Sequence, residues 1–187
     1  PGTALDAYLE LIGVVSATTQ LALFEDVLRL AGVTGRWAPV ADKLLTIGKR
    51  LPKPADQIRV LAAVGKIYAE ELGDIGKAKA AYELAIELEP ENASLQRAML
   101  VVQRRTEDPA EIAHTLLTLA ELERGAARHD ALLEAAELLE QLGEHEGALE
   151  AADHARVDEP NDARALAIVE RCARTLEQWS LLATALA

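Results

Sequence analysis

The residues of this chain that could do chemistry include four histidines, none of which completes a metal motif. His145 and Glu146 begin the HExxH pattern of zinc proteases, but the second histidine of that pattern would have to stand at Leu149. His154 follows His145 by nine residues, which places the two on roughly opposite faces of a helix. His114 and His129 are isolated. All four are predicted to be surface residues of polar helices, and no metal site is predicted.

The single cysteine, Cys172, can form neither an internal disulfide nor a CxxC pair. No histidine stands beside it in the sequence, so the predicted role is a small, buried helix residue rather than a nucleophile. Neighbouring carboxylates such as Glu70 and Glu71 are common on solvated helices. The sequence contains no GxGxxG, P-loop or GxSxG pattern. It therefore predicts neither an enzyme nor a cofactor.

The composition indicates closely packed helices with an acidic surface. Hydrophobic residues make up 50% of the chain but aromatic residues only 3%, so alanine and leucine, both strong helix formers, supply much of the apolar surface. The net charge of −12 argues against general affinity for nucleic acid or for an anionic membrane. We find no signal peptide, and the lone cysteine suggests a reducing compartment such as the cytoplasm.

An internal repeat predicts the architecture. Gly143 follows Gly73 by 70 residues, and Pro160 follows Pro90 by the same interval. Half of that period is about 35 residues, which suits one helix hairpin. The possible turn points are Gly35, Gly73, Asp108, Gly143 and Glu177, at intervals of 38, 35, 35 and 34 residues. The sequence therefore predicts an all-α chain of stacked helix hairpins.

Local signals place the helix ends. Asp108-Pro109-Ala110-Glu111 supplies an N-cap acid, a proline at the first helical position and a glutamate at the third. Asn92 and Asn161 can cap the helices that follow them, and Pro90 and Pro160 stop the helices before them. Helices are predicted at about 3–17, 21–33, 37–51, 55–72, 75–88, 93–106, 109–123, 127–142, 145–157, 162–176 and 179–187.

The segment that ends at Pro90 resembles the tetratricopeptide repeat. That family has a small residue and a tyrosine in the first helix, glycine at the turn, and alanine, an aromatic residue, alanine and proline in the second helix. The matching residues are Gly65, Tyr68, Gly73, Ala78, Tyr82, Ala85 and Pro90. The segment departs from the family pattern by one inserted residue in the first helix. A weaker second match rests on Gly143, Ala148, Ala155 and Pro160.

The resemblance implies a right-handed α-solenoid (a superhelix) of antiparallel helix hairpins over residues 1–187. The predicted units span about 3–17 (a half unit), 19–52, 55–90, 92–125, 127–160 and 161–187 (truncated). Repeats of this kind bury their apolar faces by stacking, so the repeat alanines are expected in the core. Because the chain starts at Pro1-Gly2 and ends in an apolar segment, we expect a fragment of a longer, bacterial-style array.

The resemblance also implies a protein-interaction scaffold, whose first helices line a concave groove that receives a partner peptide or helix. Carried over position by position, the family's groove residues are basic on balance. The predicted partner-binding residues are Arg59, Lys66, Arg97, Val101, Arg104, Arg105, Arg171 and Arg174. Because the planar arginine fork suits carboxylates, an acidic peptide is the predicted guest. The alternative is that these arginines pair with glutamates of adjacent helices.

Two other functions remain open at this point. The repeats could be architectural, a spacer or a self-assembling segment joined through apolar ends at Leu9–Val15 and Leu181–Leu186. They could also be a docking or regulatory region of a larger protein, without a groove ligand. None of these functions predicts a nucleic-acid partner or a membrane.

Overall fold

The structure is a computed structural model that describes residues 2–179. Within these residues it contains ten α-helices and no strand, so the all-α prediction is confirmed. The helices are α1 (Gly2–Ile12), α2 (Ala17–Thr34), α3 (Trp37–Gly48), α4 (Pro54–Lys66), α5 (Ile75–Leu88), α6 (Ala93–Gln103), α7 (Pro109–Leu122), α8 (Ala126–Gln141), α9 (His145–Asp158) and α10 (Ala163–Thr175). None of the described helices is both long and apolar enough to cross a bilayer.

The chain divides into two compact units, the first ending at Pro90 and the second beginning at Glu91. In the first unit, α1 packs on α2, α3 on α4, and α4 on α5. In the second, α6 packs on α7, α7 on α8, α8 on α9, and α9 on α10. Each helix thus packs on its sequence neighbour, as the repeat of helix hairpins predicts. The boundary between the units falls at the end of the hairpin predicted at 55–90.

The turns have the backbone conformation that a helix hairpin requires. The φ angle is positive at Gly35 (66°), Gly73 (66°), Glu107 (56°), Gly143 (79°) and Glu177 (57°). A residue in this left-handed region commonly ends a helix and reverses the chain. Four of the predicted turn points are confirmed, and the fifth lies at Glu107, one residue before the predicted Asp108.

Side chains cap four of the described helices, and the first of these is α5, where Asp74 accepts the Lys77 N–H. Asn92 accepts backbone N–H bonds at the start of α6, and Asp108 does so at the start of α7, as predicted. For α10 the predicted cap, Asn161, was wrong. Asp162 is the N-cap, and its Oδ1 accepts the Ala165 N–H at 2.8 Å. The reason is that α10 begins at residue 163 rather than 162, and a cap directly precedes the first helical residue.

The predicted first helix, 3–17, was too long. α1 ends at Ile12, and an extended backbone at Ser16 (φ −63°, ψ 157°) leads into α2 four residues earlier than predicted. Gly13 favours this break because glycine is a poor helix former. Pro90 and Pro160 each follow a helix end by two residues, as predicted. Of the predicted helix 179–187, only residue 179 belongs to the described residues.

The inserted residue of the tetratricopeptide-like segment corresponds to a π-helical turn (Ile67–Glu71) that continues α4. The Leu72 N–H donates to the Ile67 carbonyl at 3.1 Å, the i to i+5 bond of a π-helix. Such a turn holds one extra residue without ending the helix. The predicted helix 55–72 is therefore continuous, but its last turn is not α-helical.

The residues that carry the family resemblance lie in the core. Ala78, Ala85, Ala148 and Ala155 are each fully buried. Gly65 makes room for an aromatic ring, since a Cβ atom at this position would stand 2.8 Å from the ring of Tyr82. Tyr68 is buried, and its hydroxyl donates to Oδ1 of Asp42 on α3 at 2.6 Å. Burial and this bond raise the pKa of Tyr68 far above its ordinary value, so the hydroxyl stays a donor.

Candidate partner-binding surfaces

The residues predicted to bind a partner lie on, or just beyond, α4 in the first unit and α6 and α10 in the second. Each of these is the first helix of its hairpin, as are α2 in the first unit and α8 in the second. All of the predicted residues are exposed.

In the second unit the first helices carry an acidic stripe between two basic ones. The basic residues at α6 are Arg97 and Arg104, the acidic residues of α8 are Glu134, Glu137 and Glu140, and the basic residues of α10 are Arg164, Arg171 and Arg174. Ion pairs join the acidic residues of α8 to Arg104 just after α6 and to Arg164 and Arg171 of α10. We call this surface, defined by those eight residues, the charge ladder.

The ion pairs of the charge ladder have close, directional geometry. Arg104 Nη2 donates to both carboxylate oxygens of Glu134, at 2.8 and 2.7 Å. On the other side of α8, Arg164 Nη2 donates to Glu137 Oε1 at 2.6 Å.

Arg171 makes the most complete pair of the charge ladder. It donates from Nε and Nη2 to the two oxygens of Glu140, both at 2.6 Å. This two-pronged bond lowers the pKa of the Glu140 carboxyl, against the opposing effect of partial burial. The same bond raises the pKa of Arg171.

The remaining predicted arginines of this unit also lie beside carboxylates or in a turn. Arg97 Nε donates to Glu123 at the end of α7, at 2.7 Å, and Arg174 pairs with Glu170 one helical turn away, at 2.6 Å. Arg105 lies in the turn after α6. Over the charge ladder, the surface predicted to be a basic groove therefore consists of arginines that already form ion pairs with glutamates. In this unit, pairing with glutamates of adjacent helices, the alternative left open by the sequence, describes Arg97, Arg104 and Arg171.

The first unit has a smaller charged surface on α2 and α4. Arg59 of α4 forms an ion pair with Glu25 of α2, and its guanidinium carbon lies 5.2 Å from the centre of the Phe24 ring. Lys66 Nζ stands 3.8 Å from the Glu70 carboxylate. Both predicted cations of this unit thus have acidic neighbours.

A pocket of 260 Å³ lies beside the π-helical turn in the first unit. It is lined by Leu28, Trp37, Ala63, Lys66, Ile67, Glu70 and Glu71. Of these residues the sequence predicted only Lys66 as a binding residue. Trp37 was missed, although a tryptophan that follows a turn glycine in a chain with 3% aromatic residues was an available signal.

Cys172 has the buried position that was predicted. It is fully buried, and burial raises the pKa of its thiol, which disfavours the nucleophilic thiolate. Its Sγ lies 4.0 Å from Nδ1 of His145, a neighbour that is 27 residues away in the sequence. His114 and His154 are exposed, as predicted, and His145 is half-buried.

The prediction for His129 was wrong. Its side chain is 3% exposed, and its Nδ1 lies 3.0 Å from the Ala155 carbonyl oxygen at the end of α9. The reason is that α9 packs against α8 and α10 follows directly. Together these helices cover a position that helical periodicity alone had left on the surface.

Comparison with known proteins agrees with this geometry. Residues 58–92 match the family model of the tetratricopeptide repeat, and they contain most of α4, the π-helical turn and α5. A crystal structure of the MamA protein superimposes with a TM-score of 0.51 at 17% identity, over 88% of this chain and 85% of that chain. Residues 58–92 are thus a tetratricopeptide repeat, and the fold of the chain is similar to that of MamA.

Other solved tetratricopeptide structures are similar in part. A variant of MamA gives a TM-score of 0.50 at 15% identity, over 91% of this chain and 94% of that chain. The first repeat domain of Spaghetti (RPAP3), solved with an HSP90 peptide, gives 0.42 at 19% identity, over 64% of this chain and 93% of that chain. No curated protein sequence matches this chain. At sequence identities this low, the similarity to MamA is evidence for the fold alone.

Proposed function

We propose that the chain is a protein-interaction scaffold that holds an extended, acidic segment of a partner against the first helices of its second unit. The observation that carries the proposal is the exposed face of α6. Val101 is 55% exposed and stands between Arg97 and Arg104, at the four- and three-residue spacings that put side chains on one helix face. An apolar contact flanked by two arginine forks suits a peptide that carries carboxylates around an apolar side chain.

The ion pair of Arg104 does not prevent such binding. In the pair between Arg104 and Glu134 the side chains are 50% and 40% exposed, and exposed pairs contribute only about 0–1 kcal/mol. A partner carboxylate can therefore replace Glu134 at little cost, while the arginine keeps an anionic ligand. Arg97 and Arg104 are seven residues apart, about 10 Å along a helix, which is close to three residues of an extended peptide.

Site-specific photo-crosslinking in the host cell tests the proposed surface. A photoreactive amino acid at Val101 is compared with the same amino acid at Val157, which is 73% exposed but lies on α9, a second helix. We expect a crosslinked partner from position 101 and none from position 157. Crosslinks that are equally strong at both positions, or found only at 157, would contradict the proposal.

Charge reversal tests the acidic character of the partner. Arg97→Glu combined with Arg104→Glu should abolish the crosslink at position 101, and added salt should weaken it in the wild type. Arg50→Glu, in the exposed turn after α3, is the matched control and should leave the crosslink unchanged. A crosslink that survives both the double reversal and high salt would show that the guest is not held by its carboxylates.

A second candidate, self-association, is favoured by an exposed apolar end of the first unit. Leu11 is 46% and Val14 is 83% exposed where α1 ends. Light scattering across a concentration series should show a dimer that Leu11→Lys with Val14→Glu dissociates. A wild-type monomer at every concentration would rule this candidate out. The other predicted apolar end, at residues 181–186, lies outside the described residues.

A further inference from the structure

A buried histidine faces two carboxylates where α8, α9 and α10 meet. His129 Nε2 lies 3.8 Å from Oε2 of Glu159 and 3.6 Å from Oδ2 of Asp162. One side-chain ligand atom of each residue lies within 4.8 Å of those of the other two. The three residues belong to the first turn of α8, the C-cap of α9 and the N-cap of α10. In the sequence, His129 precedes Glu159 by 30 residues and Asp162 by 33, so it is the fold that brings the histidine to the two carboxylates.

The hydrogen bond at the other ring nitrogen determines what His129 offers to these carboxylates. Nδ1 lies 3.0 Å from the Ala155 carbonyl oxygen, which can only accept, so Nδ1 carries a hydrogen and donates it. In the neutral ring Nε2 therefore has a lone pair, and that lone pair points toward two anions. This arrangement is electrostatically unfavourable unless a proton on Nε2 or a bound cation lies between the ring and the carboxylates. The distances from Nε2 are also too long for direct hydrogen bonds.

The dimensions of the cluster suit a small metal ion. Zinc binds histidine nitrogen and carboxylate oxygen at about 2.0–2.2 Å, so two ligands of a tetrahedral ion stand about 3.3–3.6 Å apart. The separations from His129 Nε2, 3.6 and 3.8 Å, need only a slight closure to reach that range. A second hydrogen bond from the ligating ring to a backbone carbonyl is the usual way in which a metal-binding histidine is oriented.

The other repeats show that hairpin packing does not require this cluster. The positions that correspond to His129 can be counted back from the turn residue that follows each first helix, 14 residues from Gly143 and Glu107 and 15 from Gly73, where one residue is inserted. At these positions the two preceding units have Ile58 and Ala93. The position that corresponds to Asp162 in the unit starting at residue 92 is Asn92, a neutral residue that caps its helix equally well. Histidine and aspartate thus replace apolar and neutral residues at the same junction.

We propose that His129, Glu159 and Asp162 bind one divalent cation of the zinc class, with water or a partner side chain completing its coordination. Imidazole and carboxylate ligands together suit such an ion. The Glu159 side chain is 57% exposed, which gives the ion a path in and an open coordination position. Asp162 Oδ1 accepts the Ala165 N–H at 2.8 Å, which leaves Oδ2, the oxygen that faces His129, for the ion. The bound ion would tie α10 to the hairpin of α8 and α9.

Metal titration of the chelator-treated full chain tests the site. We expect one Zn²⁺ per chain by calorimetry, a rise in melting temperature, and Co²⁺ absorption bands typical of four or five ligands. Glu159→Gln and Asp162→Asn keep the side-chain size, and asparagine keeps the helix cap, so both variants should fold and bind about tenfold or more weakly. Glu89→Gln is the matched control, because Glu89 precedes Pro90 as Glu159 precedes Pro160, while the position of its unit that corresponds to His129 is Ile58.

The proposal fails if neither Zn²⁺ nor Co²⁺ binds at one equivalent. It also fails if Glu159→Gln and Asp162→Asn both bind as the wild type does, because the ion would then lie on other histidines, such as His114 or His154. His129→Gln gives a third check on the assignment. Circular dichroism establishes first that this variant keeps its helices, and if it folds, it should lose the high-affinity step.

Discussion

Two turns of the repeat have a glutamate in the conformation that glycine adopts elsewhere. Glu107 and Glu177 have φ of 56° and 57°, against 66° at Gly35 and Gly73. A side chain in this region crowds its own backbone, at a cost of about 1–2 kcal/mol. Both glutamates are exposed, so their side chains contribute little packing in return.

Replacing one of these glutamates should therefore stabilise the protein. We expect Glu107→Gly to raise the free energy of unfolding by about 0.5–1 kcal/mol, since relief of the backbone strain exceeds the added freedom of the unfolded chain. Urea denaturation measures the change. Glu83→Gly, in the middle of α5, is the control and should lower stability by about 1 kcal/mol. A Glu107→Gly variant that is less stable than the wild type would contradict the claim that the backbone of Glu107 is strained.

Gly65 is the opposite case, because here a glycine is needed to leave room for a neighbouring aromatic ring. A Cβ atom would stand 2.8 Å from the ring of Tyr82, so Gly65→Ala should displace that ring and cost about 1–3 kcal/mol by thermal or urea unfolding. Gly76→Ala is the matched control. Its Cβ would meet nothing nearer than 3.8 Å, so alanine should stabilise α5 by about 0.5–1 kcal/mol. Equal effects of the two substitutions would mean that the ring contact has no role.

At the scale of the helices, the charge ladder joins the first helices of the second unit through ion pairs. α8 and α10 present glutamates and arginines to each other, and the pair between Glu140 and Arg171 has the closest geometry. The Glu140 side chain is only 20% exposed, so this pair is better shielded from water than the others that join the two helices. It should contribute measurably to stability.

The pH dependence of that contribution follows from the lowered pKa of Glu140. The folded state holds the carboxylate below its ordinary pKa of 4.5, so the pair stabilises at neutral pH and loses its effect as pH falls through the lowered value. Glu140→Gln should cost about 1 kcal/mol at pH 7, and the difference from the wild type should shrink in acid below pH 4.5. Urea unfolding across pH gives both values. A difference that is constant with pH would exclude the ion pair as its source.

The π-helical turn changes the surface of its helix as well as its length. It places Ile67, Glu70 and Glu71 around the 260 Å³ pocket, together with Trp37 from the start of α3. π turns inside α-helices are frequent at functional sites. The pocket thus differs in composition from the charge ladder, since its lining combines apolar residues with Lys66, Glu70 and Glu71.

At the scale of the whole molecule, stability is expected to be a sum of repeat and interface contributions. Ala85 and Ala155 are fully buried and belong to different compact units. Ala85→Phe should overpack its hairpin and cost about 1–3 kcal/mol, and Ala155→Phe should do the same in the second unit. An unchanged melting temperature for Ala85→Phe would count against the assigned repeat register.

The double variant tests the independence of the two units. Its loss of stability should equal the sum of the single losses to within about 0.5 kcal/mol, as for distant sites with no shared partners. A larger departure from the sum would mean that the two hairpins share contacts. Equilibrium unfolding followed by circular dichroism and by tryptophan fluorescence gives the values.

The sequence by itself determined the hairpins and their period, because the features that define them are local. A turn residue with positive φ, a cap beside the first helical residue and an alanine that admits a neighbouring helix each depend on a few adjacent residues. Gly73 and Gly143 could therefore be placed from their spacing, and Ala85 from the resemblance to the tetratricopeptide repeat. The inserted residue of the first helix was visible too, although its form, a π-helical turn, was not.

Only the tertiary structure decided the partners of the charged and polar side chains. Arg104 meets Glu134 across 30 residues of sequence, and His129 meets Asp162 across 33, because the rotation and separation of packed helices set these distances. Helical periodicity gives the face on which a residue lies but not what the next helix presents to it. For that reason the sequence predicted a basic groove and surface histidines, whereas the structure shows a charge ladder and one buried histidine that faces two carboxylates.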